Sequence, residues 1–494
     1  MRTQVTVVGA GPVGLMLAGE LRLAGADVVV CELRAEASGE SRGVGFTRRA
    51  AEVFDQRGLL TRLGEIEIGR QTHFGGVGID TALLDDNHFG VRGVAQHRIE
   101  TMLEEWVTDL GAIVLRGHEL VDLNDKGDVV VATMSGPDGR HEITAEYLVG
   151  CDGARSTVRR LVGIDFPGHP ATRGAYVADI AGQHLRARAI GERVPGGMVM
   201  AVNLEDGVDR IVIHPDSLPP RELADLTFTE IADSWQSLTG ESLHGADVRW
   251  ISCFTDTSRQ AEEYRRGRVF LAGDAAHIHI PAGAQGLSVG VQDAVNLGWK
   301  LAAVLNGGVD ESLLDSYHTE RHPVGAGLMR NTRAQALLYL SGDEMEPLRR
   351  VLGELFAYPE VARRMAGKVS GLDVRYDMGT EDHPLVGFRL PTDWRLTLAD
   401  GREVAIAELL HLARGVLITT GGADGIGYAA AAWSDSVDVV RGTWVPAGDE
   451  RRRSGLTAVL LRPDGYVAWA APGCGDVRAA LARWFGAEVA VADR

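Results

Sequence analysis

The sequence predicts an α/β fold, a Rossmann-like doubly wound parallel sheet that carries an inserted antiparallel sheet and is followed by a smaller α/β domain. Three observations predict it. The chain opens on strand, glycine turn, helix and strand, shifts to short alternating segments between about Tyr176 and Thr257, and returns to alternating strands and helices from about His383. At 494 residues it exceeds what one hydrophobic core usually serves. The expected division is 1–175 with 268–382 as a discontinuous first domain, 176–267 as the insert and 383–494 as the tail.

In the first domain, Val5 to Val8 is a β-branched run, Gly9-Ala-Gly-Pro-Val-Gly14 is a turn, Leu15 to Leu23 reads as helix and Val28 to Cys31 as the next strand. Further strands are expected at Ile113 to Arg116, Tyr147 to Gly150 and Arg268 to Ala272. In the insert, Arg210-Ile-Val-Ile-His214 alternates as a half-buried antiparallel strand does. A long helix is expected from Leu287 to Asn306, ended by Gly307-Gly308, with helical character continuing to about residue 370. Pro384, Pro391 and the turn Arg462-Pro-Asp-Gly465 punctuate the tail.

Composition excludes several classes of partner. The formal net charge of -18 is spread along the chain and repels phosphate backbones, so no nucleic acid is expected. No cleavable leader or membrane-spanning run is visible, and a cytoplasmic location is expected. The four cysteines, Cys31, Cys151, Cys253 and Cys474, form no CxxC pair and read as small buried hydrophobes.

The chemistry is carried by three glycine-bearing segments. Gly9 permits a tight turn, Gly11 lets backbone amides approach a pyrophosphate at the helix N-terminus opened by Pro12, and Gly14 lets helix and sheet pack closely. Glu32, ending the next strand, is placed to accept ribose hydroxyls. The second segment, Tyr147-Leu-Val-Gly-Cys-Asp-Gly-Ala-Arg-Ser-Thr-Val-Arg159, breaks from a strand into Asp152-Gly153. The third, from Gly267 to Gly286, places Asp274 at a strand end and a glycine-rich turn before the long helix. Three such pieces in this order select FAD over NAD.

On these residues the chain resembles the class A FAD-dependent aromatic hydroxylases, which share the p-hydroxybenzoate hydroxylase fold and carry GxGxxG, DG and GD fingerprints. The segments Glu52-Val-Phe-Asp-Gln-Arg-Gly58, His73-Phe-Gly-Gly76, Pro195-Gly-Gly-Met198 and Gln292-Asp-Ala-Val-Asn-Leu-Gly-Trp-Lys300 look most like the angucycline-type polyketide hydroxylases. The resemblance implies an oxidoreductase of antibiotic biosynthesis that uses NADPH or NADH and O2 to hydroxylate a polycyclic aromatic polyketide through a flavin C4a-hydroperoxide. It also implies a thioredoxin-like tail, which lacks CxxC and so serves packing or a homodimer contact. The same flavin motifs serve Baeyer-Villiger and antibiotic-inactivating monooxygenases, and a flavin-bound protein that never turns over is the reading from outside enzymology.

By the same resemblance Asp274 binds ribityl hydroxyls, Asp152 helps hold the pyrophosphate and its own turn, Arg42 and Gln96 contact the diphosphate or ribityl region, and Pro281 lies near the reactive carbon. The amides around Gly286, Leu287 and Ser288 begin a helix and can stabilise negative charge on the N1 and C2-carbonyl edge of a reduced flavin. Where the family reads Gly-Gly-Gln-Gly-Met-Asn-Thr, this chain has Gly283-Ala-Gln-Gly-Leu-Ser-Val289, so Ala284 narrows the backbone options and Ser288 replaces only part of an asparagine. His73, Tyr176 and His214 are candidate bases for a substrate phenol, each equally a core residue.

Three signals point elsewhere. His318 and His322 have the spacing of a metal pair but no third ligand, so a solvated or ion-paired helix face is expected and no metal. His277 and His279 are expected as hydrogen-bonding groups beside the flavin loop. Thr420-Gly-Gly-Ala-Asp-Gly-Ile-Gly427 has GxxGxG spacing and is expected to be a flexible surface turn rather than a second nucleotide loop.

Overall fold

The structure is a computed structural model that describes residues 1–37, 43, 45–66, 68–69, 71–80, 82, 91–204, 207–220, 223–379, 382–421, 424–446 and 455–488. The β-branched opening forms the strand Arg2–Val8, whose parallel neighbours are Val28–Glu32 on one side and Gly139–Gly150 on the other. Ile113–Arg116 extends the sheet beyond Val28–Glu32, and Val269–Leu271 extends it beyond Gly139–Gly150. Chain order therefore reverses between Arg2–Val8 and Gly139–Gly150, and a crevice opens at the carboxyl ends of those two strands, where such sheets bind ligands.

The insert is a five-stranded antiparallel sheet in the order Glu192–Val194, Gly197–Asn203, Val208–Pro215, Gly174–Ala181, Asp247–Thr255. Its period-two alternation sends Val199, Ala201, Ile211 and Ile213 under the helix Phe228–Thr239, against Ile231 and Trp235. That helix starts on a capping box formed by Thr227 and Glu230. The alternate residues Met198 and Met200 face the first domain.

The tail is a six-stranded sheet in which Gly415–Thr420 and Val437–Trp444 pair in parallel and the other strands are antiparallel. The fold class read from the sequence holds. Helix Gln285–Leu305 begins two residues before the expected Leu287, and helices Asp315–Leu340, Glu346–Phe356 and Pro359–Ser370 follow. Among the described residues no helix is long and apolar enough to cross a membrane.

Buried charge joins the tail to the first domain. Arg462 donates to Glu320 at 2.6 and 2.9 Å, and Lys300 donates to the same carboxylate at 2.8 Å. Asp464 accepts from Arg462, Asn296 and Trp299. Arg57 is paired with Glu20 and caps the tail carbonyls of Leu410 and Pro463. Burial alone raises the Glu320 carboxyl, but Arg462 and Lys300 overrule it and hold it at about 2. Removing one partner from such a cluster leaves an uncompensated buried charge and costs about 3–5 kcal/mol. Arg462→Met should therefore destabilise the protein by about that amount. Urea melts followed by tryptophan fluorescence check this, since Trp299 and Trp484 both flank the Arg462 guanidinium; an unchanged midpoint would contradict it.

Candidate active site

The crevice is built at the ends of the two central strands. Gly9 follows Val8 with φ +106°, and a Cβ there would strike the Cys151 carbonyl, so the two strand ends approach only because residue 9 is glycine. A Cβ on Gly14 would strike the Gly9 carbonyl, whereas one on Gly11 would meet nothing within 4 Å. Gly11 thus borders open space at the uncapped N-terminus of helix Pro12–Leu23. Glu32 lies beside this turn and accepts from the amides of Ala10 at 2.8 Å and Arg34 at 3.0 Å, which fixes its carboxylate at the crevice edge.

Asp152 caps the short helix Thr157–Leu161 through Oδ2, which accepts from the Thr157 and Val158 amides at 2.6 and 3.0 Å. Its Oδ1 is buried without a partner among the described residues, and burial raises the carboxyl. Gln96 accepts the Gly43 amide at 3.1 Å and donates to Glu100, which ties Gly43 to the helix Gln96–Asp109. Arg42 lies outside the described residues.

Asp274 is exposed on the single turn Gly273–Ala275 that ends strand Val269–Leu271. The turn is held from behind by Asp293, whose Oδ2 accepts from the Gly273 amide at 3.2 Å and pairs with His277 Nε2 at 2.7 Å, while Oδ1 accepts from Arg321 Nε at 2.6 Å. Burial opposes ionisation of Asp293, yet Arg321 and His277 together hold its carboxyl below the ordinary range. Sequence reasoning passed over Asp293, Arg321 and Glu320. The available signal was a row of polar residues, Asp293, Asn296 and Lys300, at helical spacing inside an otherwise apolar segment.

Pro281 is exposed on the loop that leads into helix Gln285–Leu305, and Gly286 and Leu287 are half-buried in that helix's first turn. Ala284 precedes the helix at φ +55° and ψ 30° and supplies no side-chain cap, leaving first-turn amides for a ligand. That left-handed conformation costs a non-glycine residue about 1–2 kcal/mol. Ser288 is spent locally: its hydroxyl donates to the Ala284 carbonyl at 3.1 Å and accepts the Thr47 amide at 2.9 Å. The uncapped helix starts and the open space at Gly11 fit a bound dinucleotide.

Beside that loop an apolar cluster joins Met198, Met200 and Phe254 of the insert to Ile280 and Ala282 and to Tyr339. His73 stacks on Tyr339 with centroids 5.1 Å apart, and His214 meets Phe254 edge-on at 5.2 Å. Burial lowers both imidazoles to about 4, so both are neutral at ordinary pH. Tyr176 needs correction: strand alternation places it with Ala178 and Ile180 in the core beneath helix Phe228–Thr239, on the face of the insert away from the loop.

Other expectations also change. His318 and His322 are not a solvated face; they stand 4.8 Å apart, pack on Tyr264, and His318 accepts the Tyr264 amide. His277 and His279 are, as expected, hydrogen-bonding groups, the first to Asp293 and the second to the Ile280 carbonyl at 2.7 Å. The glycine-rich turn expected before the long helix gives way to helix from Gln285 onward. Gly415–Thr420 leads into helix Asp424–Ala429, so the Thr420 to Gly427 segment is more than a surface turn, although 422–423 lie outside the described residues. Cys31 and Cys474 are buried, but Cys151 and Cys253 are only half-buried.

A doubly wound sheet whose reversal point gathers these glycine turns, acidic strand ends and uncapped helix is the site of a dinucleotide-dependent oxidoreductase. Residues 2–332 match the FAD binding domain family and residues 383–488 the C-terminal domain of aromatic-ring hydroxylases. The chain is 43% identical to the 12-dehydrotetracycline 5-monooxygenase/anhydrotetracycline 6-monooxygenase of Streptomyces rimosus, over 98% of this chain and 99% of that one. It is 41% identical to a rifampicin monooxygenase of Streptomyces venezuelae over the same shares. Its fold superposes on CabE, an aromatic hydroxylase from angucycline biosynthesis, with a TM-score of 0.94 and 52% identity, covering 98% of this chain and 99% of CabE. The chain belongs to the FAD-binding aromatic-ring hydroxylase family and is an FAD-dependent monooxygenase.

Asp274→Ala should weaken FAD binding far more than it alters the fold. A charge-assisted hydrogen bond contributes about 1.5–3 kcal/mol, so loss of one raises the dissociation constant roughly tenfold or more. Titration of apoprotein with FAD reads this directly, and an unchanged constant would remove Asp274 from the site.

Proposed function

We infer that the protein hydroxylates a polycyclic aromatic polyketide in antibiotic biosynthesis, taking electrons from NADPH or NADH and one oxygen atom from O2. The observation that carries this reading is the apolar cluster of Met198, Met200, Phe254, Ile280, Ala282 and Tyr339, which joins the insert to the loop before the uncapped helix. A flat polycyclic substrate held there lies between the insert and the cofactor loop, shielded from water by thioether and aromatic side chains. Bound FAD supplies the reduction of O2 and the transfer of one oxygen atom.

The chain's own groups bind, orient and exclude water. Asp274 and Glu32 anchor the cofactor's hydroxyls, and the amides of Gly286 to Ser288 face the ring edge where negative charge gathers on reduction. His73 and His214, neutral and set against the cluster's aromatic rings, are placed to hydrogen-bond a substrate phenol without adding a buried charge. In this reading residues 1–175 with 268–382 hold the cofactor, 176–267 closes over the substrate and 383–494 braces the long helices, the tail also being the surface for any homodimer.

The likeness to rifampicin monooxygenase supports a second reading, oxidation of a finished antibiotic with or without Baeyer-Villiger ring opening. A panel of polycyclic phenols and ansamycins, assayed with NADPH under labelled O2 and scored by product mass, separates these. Gain of one labelled oxygen on an intact phenolic ring is the expected result, ring expansion or cleavage favours the second reading, and flavin that NADPH and NADH never reduce with any substrate contradicts both.

A further inference from the structure

Helix Asp315–Leu340 ends where three parts of the molecule meet, and its last two residues are held by more than apolar packing. The Tyr339 ring clusters with Met198 of the insert and Ile280 of the loop before the cofactor helix, and His73 stacks on it. Its hydroxyl is committed to the insert, donating to the Ile190 carbonyl. Arg173 donates to the Leu340 carbonyl, and Arg193 to the Tyr339 carbonyl at 3.4 Å. The sequence makes room for the hydroxyl. Gly191 follows Ile190 at φ +81°, and a Cβ there would overlap the Tyr339 hydroxyl and stand 2.8 Å from the ring carbon that bears it. Glycine alone combines that backbone with that gap. Burial pushes the Tyr339 phenol up, so the hydroxyl keeps its proton and remains a donor.

The turn that Tyr339 grips is bound firmly into the insert. The Gly191 amide donates to the Arg188 carbonyl at 2.9 Å, and Arg188 donates in turn to Glu241 at 2.7 Å. The Arg188 guanidinium also lies over the ring of Trp235, 5.3 Å from its centroid, in the core of the insert. Past the turn, strand Glu192–Val194 pairs with strand Gly197–Asn203 so that Arg193 stands opposite Met198. A shift of Ile190 is therefore passed within a few residues to Met198 and Met200, the thioethers that pack with Ile280 and Ala282. One hydroxyl thus ties the methionine strand to the helix that also carries Glu320 and Arg321.

We propose that Tyr339 is a positioning residue for the substrate: its hydroxyl, held by Ile190 in the notch left by Gly191, sets the spacing between the methionine wall of the insert and the loop at Ile280 and Ala282. The proposal rests on the reading that a polycyclic phenol is held at this apolar cluster. Tyr339→Phe keeps the ring, its stacking on His73 and the cluster, and removes only the tie to the insert. A contact that merely added stability would move the unfolding midpoint and leave the affinity of the folded protein as it is. A contact that sets the gap changes how tightly a flat ring is gripped.

The test compares FAD-saturated wild type and Tyr339→Phe in two measurements. Hydrogen exchange read by mass spectrometry should show the amides of 188–194 exchanging roughly fivefold to tenfold faster in the variant, the loss of about one hydrogen bond, with the tail strand Gly415–Thr420 unchanged. Titration with alizarin, a flat tricyclic phenol, should give a dissociation constant raised roughly threefold to tenfold, while the FAD dissociation constant stays the same. Gly191→Ala, which fills the notch from the other side, should reproduce both changes. Variants that exchange no faster at 188–194 would overturn the tie. Variants that exchange faster yet bind alizarin as tightly as wild type would overturn the positioning role, and so would variants that lose FAD in the same proportion. Wild-type protein that binds no alizarin is a different result: it removes the substrate reading beneath the proposal, and the positioning role with it, while the exchange difference between the proteins still stands.

Discussion

Two consecutive side chains on one helix, Glu320 and Arg321, tie the molecule together by pointing at different partners. Arg321 reaches Asp293 and through it the turn that carries Asp274, while Glu320 reaches Arg462 in the tail and Lys300 on the cofactor helix. Arg321, Asp293, Lys300 and Arg462 all have side chains at 0% exposure. Charges so deep are tolerable only when each is paired and hydrogen-bonded, because desolvation otherwise exceeds the Coulombic gain. The arrangement therefore admits few alternatives: helix register and turn must be in place before Arg321 and Asp293 are satisfied, and the tail as well before Arg462 is. Here the buried ions serve to specify geometry more than to add stability.

That constraint has consequences for the site. Any contact made by the exposed Asp274 carboxylate is only as exact as the single turn that carries it. Asp293 fixes it by accepting from the Gly273 amide and from His277, and Arg321 keeps Asp293 ionised against its burial. The insert, by contrast, meets the first domain chiefly through methionine and aromatic side chains, which adapt to shape. A rigid turn opposite a compliant insert suits a scaffold whose relatives include an anhydrotetracycline monooxygenase and a rifampicin monooxygenase.

Much of this was legible in the chain. The opening βαβ unit and the turn at Asp274 could be read because their glycines and acids occur at spacings that only one backbone path satisfies, and Ile113–Arg116 falls where its apolar run predicts. The side of the insert that faces the first domain was not legible. Met198 and Val199 are both buried, so alternation separates two faces without saying which is which, and Tyr176 was for that reason considered as a base. His-Thr-Glu-Arg-His resembles a metal pair because histidines attract notice, whereas the working residues are the two charges between them. Arg462-Pro-Asp-Gly465 reads as a turn, and it is one, but its two charged side chains hook the tail to helices more than 140 positions earlier. Long-range pairing of this kind leaves no local signature beyond charged residues set in apolar stretches.

The Asp293 charge beneath the Asp274 turn, outside the expected cofactor contacts, shapes that turn from behind. The most direct test is FAD titration of apoprotein carrying Asp293→Asn, with circular dichroism to verify the fold. An FAD dissociation constant raised roughly tenfold or more, the equivalent of about 1.4 kcal/mol, with secondary structure retained, is the predicted result. A folded variant that binds FAD as tightly as wild type would contradict it.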